Sequence, residues 1–512
     1  MAVTLLRAAT IWKLIEARAA ATPRHVFLVD DFERAMTFAE YRDEALRTAA
    51  GLRDLGFGAG DTLAWQLPTW IESMVLMGAV SRLGARQLPL LPIYREAELS
   101  RLLERSGAQV WVLPSLWKGT DYHALSERVL QDNPGIRTVF CDNDLPVGDP
   151  ATLPPPEASS EQVTWLFPTS GTTSAPKIVM HTDRSIMAGG AAFCLAQGLR
   201  PDDRYGIAFP ITHIGGANNL AAALQCGFSL ALSQTFDPAA TTASFRRNEV
   251  TVAGGGPAFY AAFLAEQRHS PGGLILPALR FMTGGGAPMP PAMHRQVRDE
   301  IGGAGCAHGY GMTECCIVAM NHPEDTDDRL SDTVGRPAQY VEVDVLGASG
   351  PVGAGIDGEI RIRGEAVFTG YLGGPTSGLD ADGWYRTGDI GQFDTDGYLH
   401  ITGRLKDIVI RKGENISATE LEDVLYTHPS IDEVAVIGLP DDERGERVCA
   451  VVRVVEGERV SLPDIAEHCI AAGLMRQKIP EQLEVVDLLP RNSAGKVLKK
   501  DLRERFTARL AQ

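Results

Sequence analysis

The run Thr169-Ser170-Gly171-Thr172-Thr173-Ser174-Ala175-Pro176-Lys177 concentrates hydroxyls, one glycine and one cation directly after the strand-like stretch Val163 to Phe167. Such a loop suits phosphate. Gly171 lets the backbone approach an anion, the hydroxyls and main-chain N–H groups can bond its oxygens, and Lys177 adds a point charge. A Walker-type loop is excluded, because its lysine opens a helix whose N-terminus shares the binding. Here Lys177 runs into Ile178-Val179-Met180, a strand pattern. Taken alone, the segment also reads as a polar hairpin turn.

Other segments carry chemistry of the same kind. In His308-Gly309-Tyr310-Gly311-Met312-Thr313-Glu314, glycines flank an aromatic ring on which a planar ligand could lie. Thr313 adds a hydroxyl there, and Glu314 a hard oxygen suited to Mg²⁺. Thr283-Gly284-Gly285-Gly286-Ala287-Pro288 follows a strand at Leu279 to Met282 and would let backbone approach a base or an acyl group, or simply turn a strand into a helix. Trp384-Tyr385-Arg386-Thr387-Gly388-Asp389 places one carboxylate after a glycine, where it could accept both hydroxyls of a ribose or lead a turn. Gly403-Arg404-Leu405-Lys406-Asp407 and Pro490-Arg491-Asn492-Ser493-Ala494-Gly495-Lys496 are charged loops that would ordinarily be solvated.

The elements that must position these groups alternate. Helices are predicted at Ile11 to Ala21, Phe38 to Leu55, Ile71 to Leu83 and Glu96 to Arg105, with strands at Thr62 to Leu67, Arg86 to Leu91 and Gln109 to Leu113. That alternation implies parallel sheets covered on both faces. The proline-rich stretch from Pro146 to Pro156 connects to the phosphate loop, and α/β alternation then resumes to about residue 320. From Val334 short strands and turns suggest a small β-rich subdomain. Residues 404–512 form an α+β domain, with helices at Thr419 to Tyr426, Leu462 to Ala472 and Lys500 to Leu510 and strands at Glu433 to Ile437 and Val448 to Val454.

Composition bounds the function classes. A chain of 512 residues exceeds one core, and 44% apolar with 22% charged residues is ordinary for a globular protein. The 48 basic and 65 acidic residues give a net charge of -17, which argues against nucleic acid or an anionic membrane as partner. Anionic ligands must therefore meet local cations. No apolar run spans a membrane, and Arg7 interrupts the first residues too early for a signal peptide, so a cytoplasmic protein is expected. The eight cysteines form no Cys-x-x-Cys pair, and free buried thiols are expected.

In this order and at these spacings, the motifs resemble the adenylate-forming superfamily of acyl-CoA synthetases, firefly-type luciferases and adenylation domains of nonribosomal peptide synthetases. The likeness covers nearly the whole chain. It is strongest to bacterial acyl- and aryl-CoA ligases, through Arg411-Lys412-Gly413-Glu414-Asn415-Ile416 and Gly445-Glu446-Arg447. The resemblance implies an α/β fold. A large N-terminal domain (1–403) of αβαβα-type layered subdomains plus the β-rich subdomain would precede a small mobile α+β lid (404–512), hinged near Lys406. It also implies an ATP-dependent enzyme that joins a carboxylic acid to AMP with release of pyrophosphate, then passes the acyl group to coenzyme A.

By the same resemblance, Thr169, Ser170, Gly171, Thr172, Thr173 and Lys177 hold the β- and γ-phosphates, and Thr169 and Glu314 serve Mg²⁺. Gly285, Ala287, Pro288, Gly309, Tyr310 and Gly311 form the nucleotide pocket, with Tyr310 stacked on adenine. Thr313 contacts the α-phosphate, and Asp389 and Arg404 hold the ribose. Lys496 bridges the acyl carboxylate and α-phosphate, needing no tuning to stay charged because a free lysine titrates near pKa ~10.4. Gly413 lines the pantetheine entrance, and His213 stands beside the acyl pocket. Ile214 makes that pocket apolar, which points to a fatty, alicyclic or unsubstituted aromatic acid. A carrier-protein thiol as acceptor, a non-catalytic nucleotide or acyl binder, and a homodimer remain open. The chain departs from the family where Ser174 and Ile178 replace usual glycines, Lys412 a frequent glycine and Ala418 a frequent proline.

Overall fold

The computed structural model describes residues 4–142, 144–156, 159–169, 177–270, 272–374, 378–411, 414–441, 444–492 and 496–510. Ser170, Gly171, Thr172, Thr173, Ser174, Lys412 and Gly413 lie outside them.

Two large sheets build the N-terminal region. One is ordered Arg336–Pro337, Cys315–Met320, Cys306–Met312, Phe281–Gly284, Val252–Gly255, Arg204–Ile207, Ser229–Leu232, Val26–Asp30, Ala35–Thr37. The other is ordered Gly370–Tyr371, Lys177–Thr182, Val163–Thr169, Arg86–Pro89, Thr62–Trp65, Val110–Leu113, Arg137–Phe140. A five-stranded antiparallel sheet follows between Glu342 and Arg404. The expected α/β architecture, a large N-terminal and a small C-terminal domain, is present. The sheets are not wholly parallel, however. Their centres are, but Val163–Thr169 pairs antiparallel with Lys177–Thr182, and Cys306–Met312 antiparallel with Cys315–Met320. These two reversals fall on motifs singled out above, and three further antiparallel pairs belong to the same sheets: Val26–Asp30 with Ala35–Thr37, Lys177–Thr182 with Gly370–Tyr371 and Cys315–Met320 with Arg336–Pro337.

Helices Asp183–Ala196 and Ile214–Cys226 are buried along most of their length, within a core cluster that draws residues from both sheets. Their close approach requires Gly190, whose added Cβ would lie 2.8 Å from the Ala222 nitrogen. Thr182 caps the first helix through a reciprocal box with Ser185, and the buried Asp183 carboxylate accepts from Ile11 N, Thr164 Oγ1 and Trp165 Nε1. That carboxylate ties the first helix of the chain to the strand leading into the phosphate loop.

The C-terminal sheet is ordered Glu414–Ser417, Ile408–Arg411, Gly445–Val454, Ile431–Asp441, with Gln482–Val485 parallel to Gly445–Val454. Helices Ala418–Tyr426, Leu462–Ala471 and Lys499–Leu510 complete the domain. Ala418 is buried in its core as the first helical residue, so the position usually held by proline contributes packing. All eight cysteines are free, and seven are buried. Among the described residues no helix is long and apolar enough to cross a membrane.

Candidate active site

Thr313 and Glu314 form the tip of a two-residue hairpin, because Met312 pairs with Cys315. Gly311 permits the close return: a Cβ there would meet the Cys316 carbonyl oxygen at 1.9 Å. The tip is fastened on two sides. His181, buried in strand Lys177–Thr182, contacts the Thr313 carbonyl through Nε2 at 2.8 Å and Ser185 Oγ through Nδ1 at 2.9 Å. Burial pushes its imidazole down to about 4, so it is neutral and the Nε2–H donates to that carbonyl. On the other side the Phe368 N–H donates to the Glu314 carbonyl at 2.8 Å.

The Glu314 carboxylate has one oxygen engaged. Its Oε1 accepts from the Tyr371 hydroxyl at 2.5 Å and from the Tyr385 hydroxyl at 3.3 Å. Oε2 has no hydrogen-bond partner among the described residues, which leaves a hard anionic oxygen suited to Mg²⁺. Among the described residues no cluster of three acidic, His or Cys side chains could hold a metal alone. A divalent ion here would therefore complete its shell with nucleotide phosphates and water. Thr169, the other expected ligand, pairs with Lys177 and directs Oγ1 to the Lys177 carbonyl at 3.4 Å.

Lys177 opens the strand, as its sequence implied, and its Nζ lies 4.5 Å from the Tyr371 ring centroid. Ile178 next to it is fully buried in the core cluster that contains Trp111 and Leu166. Glycine is absent there because the side chain is core, which accounts for that departure from the family.

Tyr310 projects from strand Cys306–Met312, and its hydroxyl donates to Asp389 Oδ2 at 2.6 Å. Asp389 Oδ1 pairs with Arg404 Nε at 2.9 Å, the two residues being opposite each other in the antiparallel ladder. Asp389 is 8% exposed, and its backbone N–H is taken by Thr387 Oγ1. The three expected nucleotide residues are thus one hydrogen-bonded unit. Gly285 and Gly309 approach closely: a Cβ on Gly285 would lie 2.7 Å from the Gly309 carbonyl oxygen. His308 contacts the Ala287 carbonyl through Nε2 at 3.0 Å, its ring held neutral by burial with a pKa pushed down to about 4, while Nδ1 is buried without a partner among the described residues. Pro288 continues the same loop toward the short helix Pro291–Gln296.

His213 is the N-cap of helix Ile214–Cys226, its Nδ1 accepting from Gly215 N at 3.4 Å. With Leu91, Tyr94, Phe167, Ile214 and Thr313 it lines a cavity of 20 Å³, room for about one water.

Lys496, in the C-terminal domain, lies in the electrostatic field of Arg404, Asp389 and Asp407. Lys496 N is bonded to Asn492 Oδ1 at 2.9 Å, and Asn492 N to the Lys496 carbonyl at 2.8 Å. Its ammonium does not have the ordinary lysine pKa expected from sequence. Burial lowers it most and Arg404 lowers it further, while Asp389 and Asp407 pull the other way. The correction has a tertiary cause: folding brings residue 496 beside the Asp389–Arg404 pair. Lys406 lies in the 3-10 turn Leu405–Asp407, where Arg503 of the last helix donates to the Lys406 carbonyl at 3.3 Å and to Asp407 Oδ1 at 2.8 Å. Sequence reasoning missed His181, His308, Tyr371 and Tyr385 as site residues. Tyr385 and His308 sat inside quoted motifs, but nothing in the sequence signalled His181 or Tyr371.

The sequence matches the AMP-binding enzyme family over residues 15–372 and its C-terminal domain over residues 420–496. It is 32% identical to a medium-chain fatty-acid–CoA ligase of Escherichia coli K12, over 96% of this chain and 90% of the relative. It is also 32% identical to a feruloyl-CoA synthase of Amycolatopsis sp., over 96% and 97%. The fold superposes on ATP-bound MatB from Rhodopseudomonas palustris with a TM-score of 0.87 and 28% identity, over 98% of this chain and 99% of that one. With the Tyr310–Asp389–Arg404 unit, the Thr313–Glu314 tip and Lys496 assembled as above, the chain belongs to the AMP-binding enzyme family, as an AMP-forming acid–thiol ligase.

Proposed function

We propose that the protein activates an apolar carboxylic acid, a fatty, alicyclic or unsubstituted aromatic one, as its acyl-adenylate and transfers the acyl group to coenzyme A. The observation that carries this reading is the hydrogen-bonded Tyr310–Asp389–Arg404 unit with Lys496 in its field; in this reading the ammonium meets a nucleotide's α-phosphate. Adenylation brings two anions together, and a cation between carboxylate and phosphate lowers the barrier as negative charge gathers on the α-phosphate. Anionic reactants also restore the proton affinity that burial takes from Lys496. In this reading Asp389 accepts the ribose hydroxyls, Tyr310 stacks under the base, and His308 Nδ1 offers an acceptor to the base's amine. Glu314 and Thr169 would hold Mg²⁺, which neutralises phosphate charge. Thr313 would bond the α-phosphate, and Lys177 and the loop from 170 to 173 would hold the departing pyrophosphate.

Thioester formation needs Lys496 removed and a thiol admitted. Rotation of residues 404–512 about Lys406 would accomplish this, bringing Gly413 to the pantetheine path. The Arg503 contacts to Lys406 and Asp407 would steady the turn in the adenylating arrangement. Eight free thiols support a reducing, cytoplasmic setting. The test is mass spectrometry of products formed from ATP, Mg²⁺, coenzyme A and a panel of acids. Acyl-CoA with stoichiometric AMP is expected. Acyl-adenylate that never becomes acyl-CoA would overturn coenzyme A as acceptor.

A further inference from the structure

Lys177 and Glu314 carry opposite charges and both serve the triphosphate in the function proposed above, on which this inference rests. Left to themselves they would pair and cancel. Tyr371 stands between them. Its hydroxyl donates to Glu314 Oε1 at 2.5 Å, while its ring carries Lys177 Nζ at 4.5 Å from the centroid. Tyr371 reaches this point because strand Gly370–Tyr371 adds to the edge of Lys177–Thr182, with Tyr371 opposite Val179. Tyr385 completes the arrangement, its hydroxyl 3.0 Å from that of Tyr371. Phe368 packs edge-on against both rings, with centroids 4.9 and 5.1 Å away.

The chemistry is directional. A phenol keeps its proton at neutral pH, so against a carboxylate oxygen the Tyr371 hydroxyl is the donor. Its single proton goes to Glu314, so the one Tyr385 proton is shared between the Tyr371 oxygen at 3.0 Å and Glu314 Oε1 at 3.3 Å. Two phenols on one oxygen fix the carboxylate rotamer and leave Oε2 directed elsewhere, and the ring face keeps the ammonium from collapsing onto the carboxylate.

We propose that Tyr371 is a positioning residue that holds Lys177 and Glu314 apart and preoriented, its hydroxyl serving the Mg²⁺ side of the triphosphate and its ring the lysine side. The two functions separate by substitution. Tyr371→Phe keeps the ring and loses the hydroxyl; Tyr371→Leu loses both.

The experiment is calorimetric binding of ATP to the full chain, with excess Mg²⁺ and separately with EDTA, which requires no knowledge of the acid. In Tyr371→Phe the ratio of the two affinities should fall about tenfold, the scale of one hydrogen bond to a charged group, with EDTA affinity within about twofold of wild type. Tyr371→Leu should weaken ATP in EDTA as well. Tyr385→Phe, a variant of the longer contact, should lower the ratio less than Tyr371→Phe and serves as a second probe. Unchanged ratios in both phenylalanine variants overturn the proposal while the function stands. Wild-type protein that fails to bind ATP overturns both.

Discussion

Replacing Lys496 with methionine keeps most of the aliphatic stem and removes the ammonium, which separates what the charge does for folding from what it does for chemistry. In the unliganded protein the surroundings disfavour the charge, burial first and Arg404 second, with Asp389 and Asp407 opposing. A cation whose folded pKa lies below its unfolded value of about 10.4 lowers stability while it stays protonated in both states. Between the two values the unfolded chain binds more protons, so stability rises with pH until both forms are neutral. Lys496→Met should therefore unfold at the same temperature as wild type or higher near neutral pH, and should lack the alkaline rise.

Catalysis should move the other way. A cation about 4 Å from a developing charge contributes on the order of 4 kcal/mol at an effective dielectric near 20. Loss of one such stabilising group typically lowers rates by about 10²–10³-fold. Pyrophosphate exchange should fall by about that factor, with ATP affinity within about threefold of wild type, since the group acts on the transition state. Thioester formation from supplied acyl-adenylate should persist. Thermal unfolding across pH, exchange kinetics and calorimetry make the three measurements. A variant that melts well below wild type while exchanging pyrophosphate normally would refute the assignment and leave Lys496 a structural residue.

Asp389→Asn retains an acceptor for Tyr310 but turns an amide toward Arg404, so AMP affinity should fall about tenfold by calorimetry. Because the Arg404 side chain is 40% exposed, stability should fall by no more than about 1 kcal/mol. Ile178→Gly, which restores the residue usual in the family, should destabilise the N-terminal region by about 3–5 kcal/mol, because the side chain is fully buried. The first unfolding transition in urea reads this, and a neutral result would show that the strand tolerates a void.

Much of the fold is legible in the sequence. The helices at Ile11–Ala21 and Ile71–Leu83 and the strand opened by Lys177 appear where their periodicity places them, because local propensity and burial agree there. Lys177, Tyr310, Thr313, Glu314 and Asp389 stood out in their own motifs, whereas Arg404 and Lys496 read as solvated charged loops until the family resemblance implied roles for them. The reversal before Lys177 was open in the hairpin reading of that segment, but the one at Cys306–Met312 was not, because a period-two pattern is the same in parallel and antiparallel pairs.

Tertiary structure alone decided how these groups act on one another. Asp389 and Arg404 lie 15 residues apart in the chain, yet the ladder sets them opposite each other. Tyr310 joins them from 79 residues away. Tyr371 looks like any strand tyrosine until the sheet edge brings it between Lys177 and Glu314. The lowered proton affinity of Lys496 likewise exists only after folding, because burial and neighbouring charge depend on distances through space that spacing along a chain does not encode.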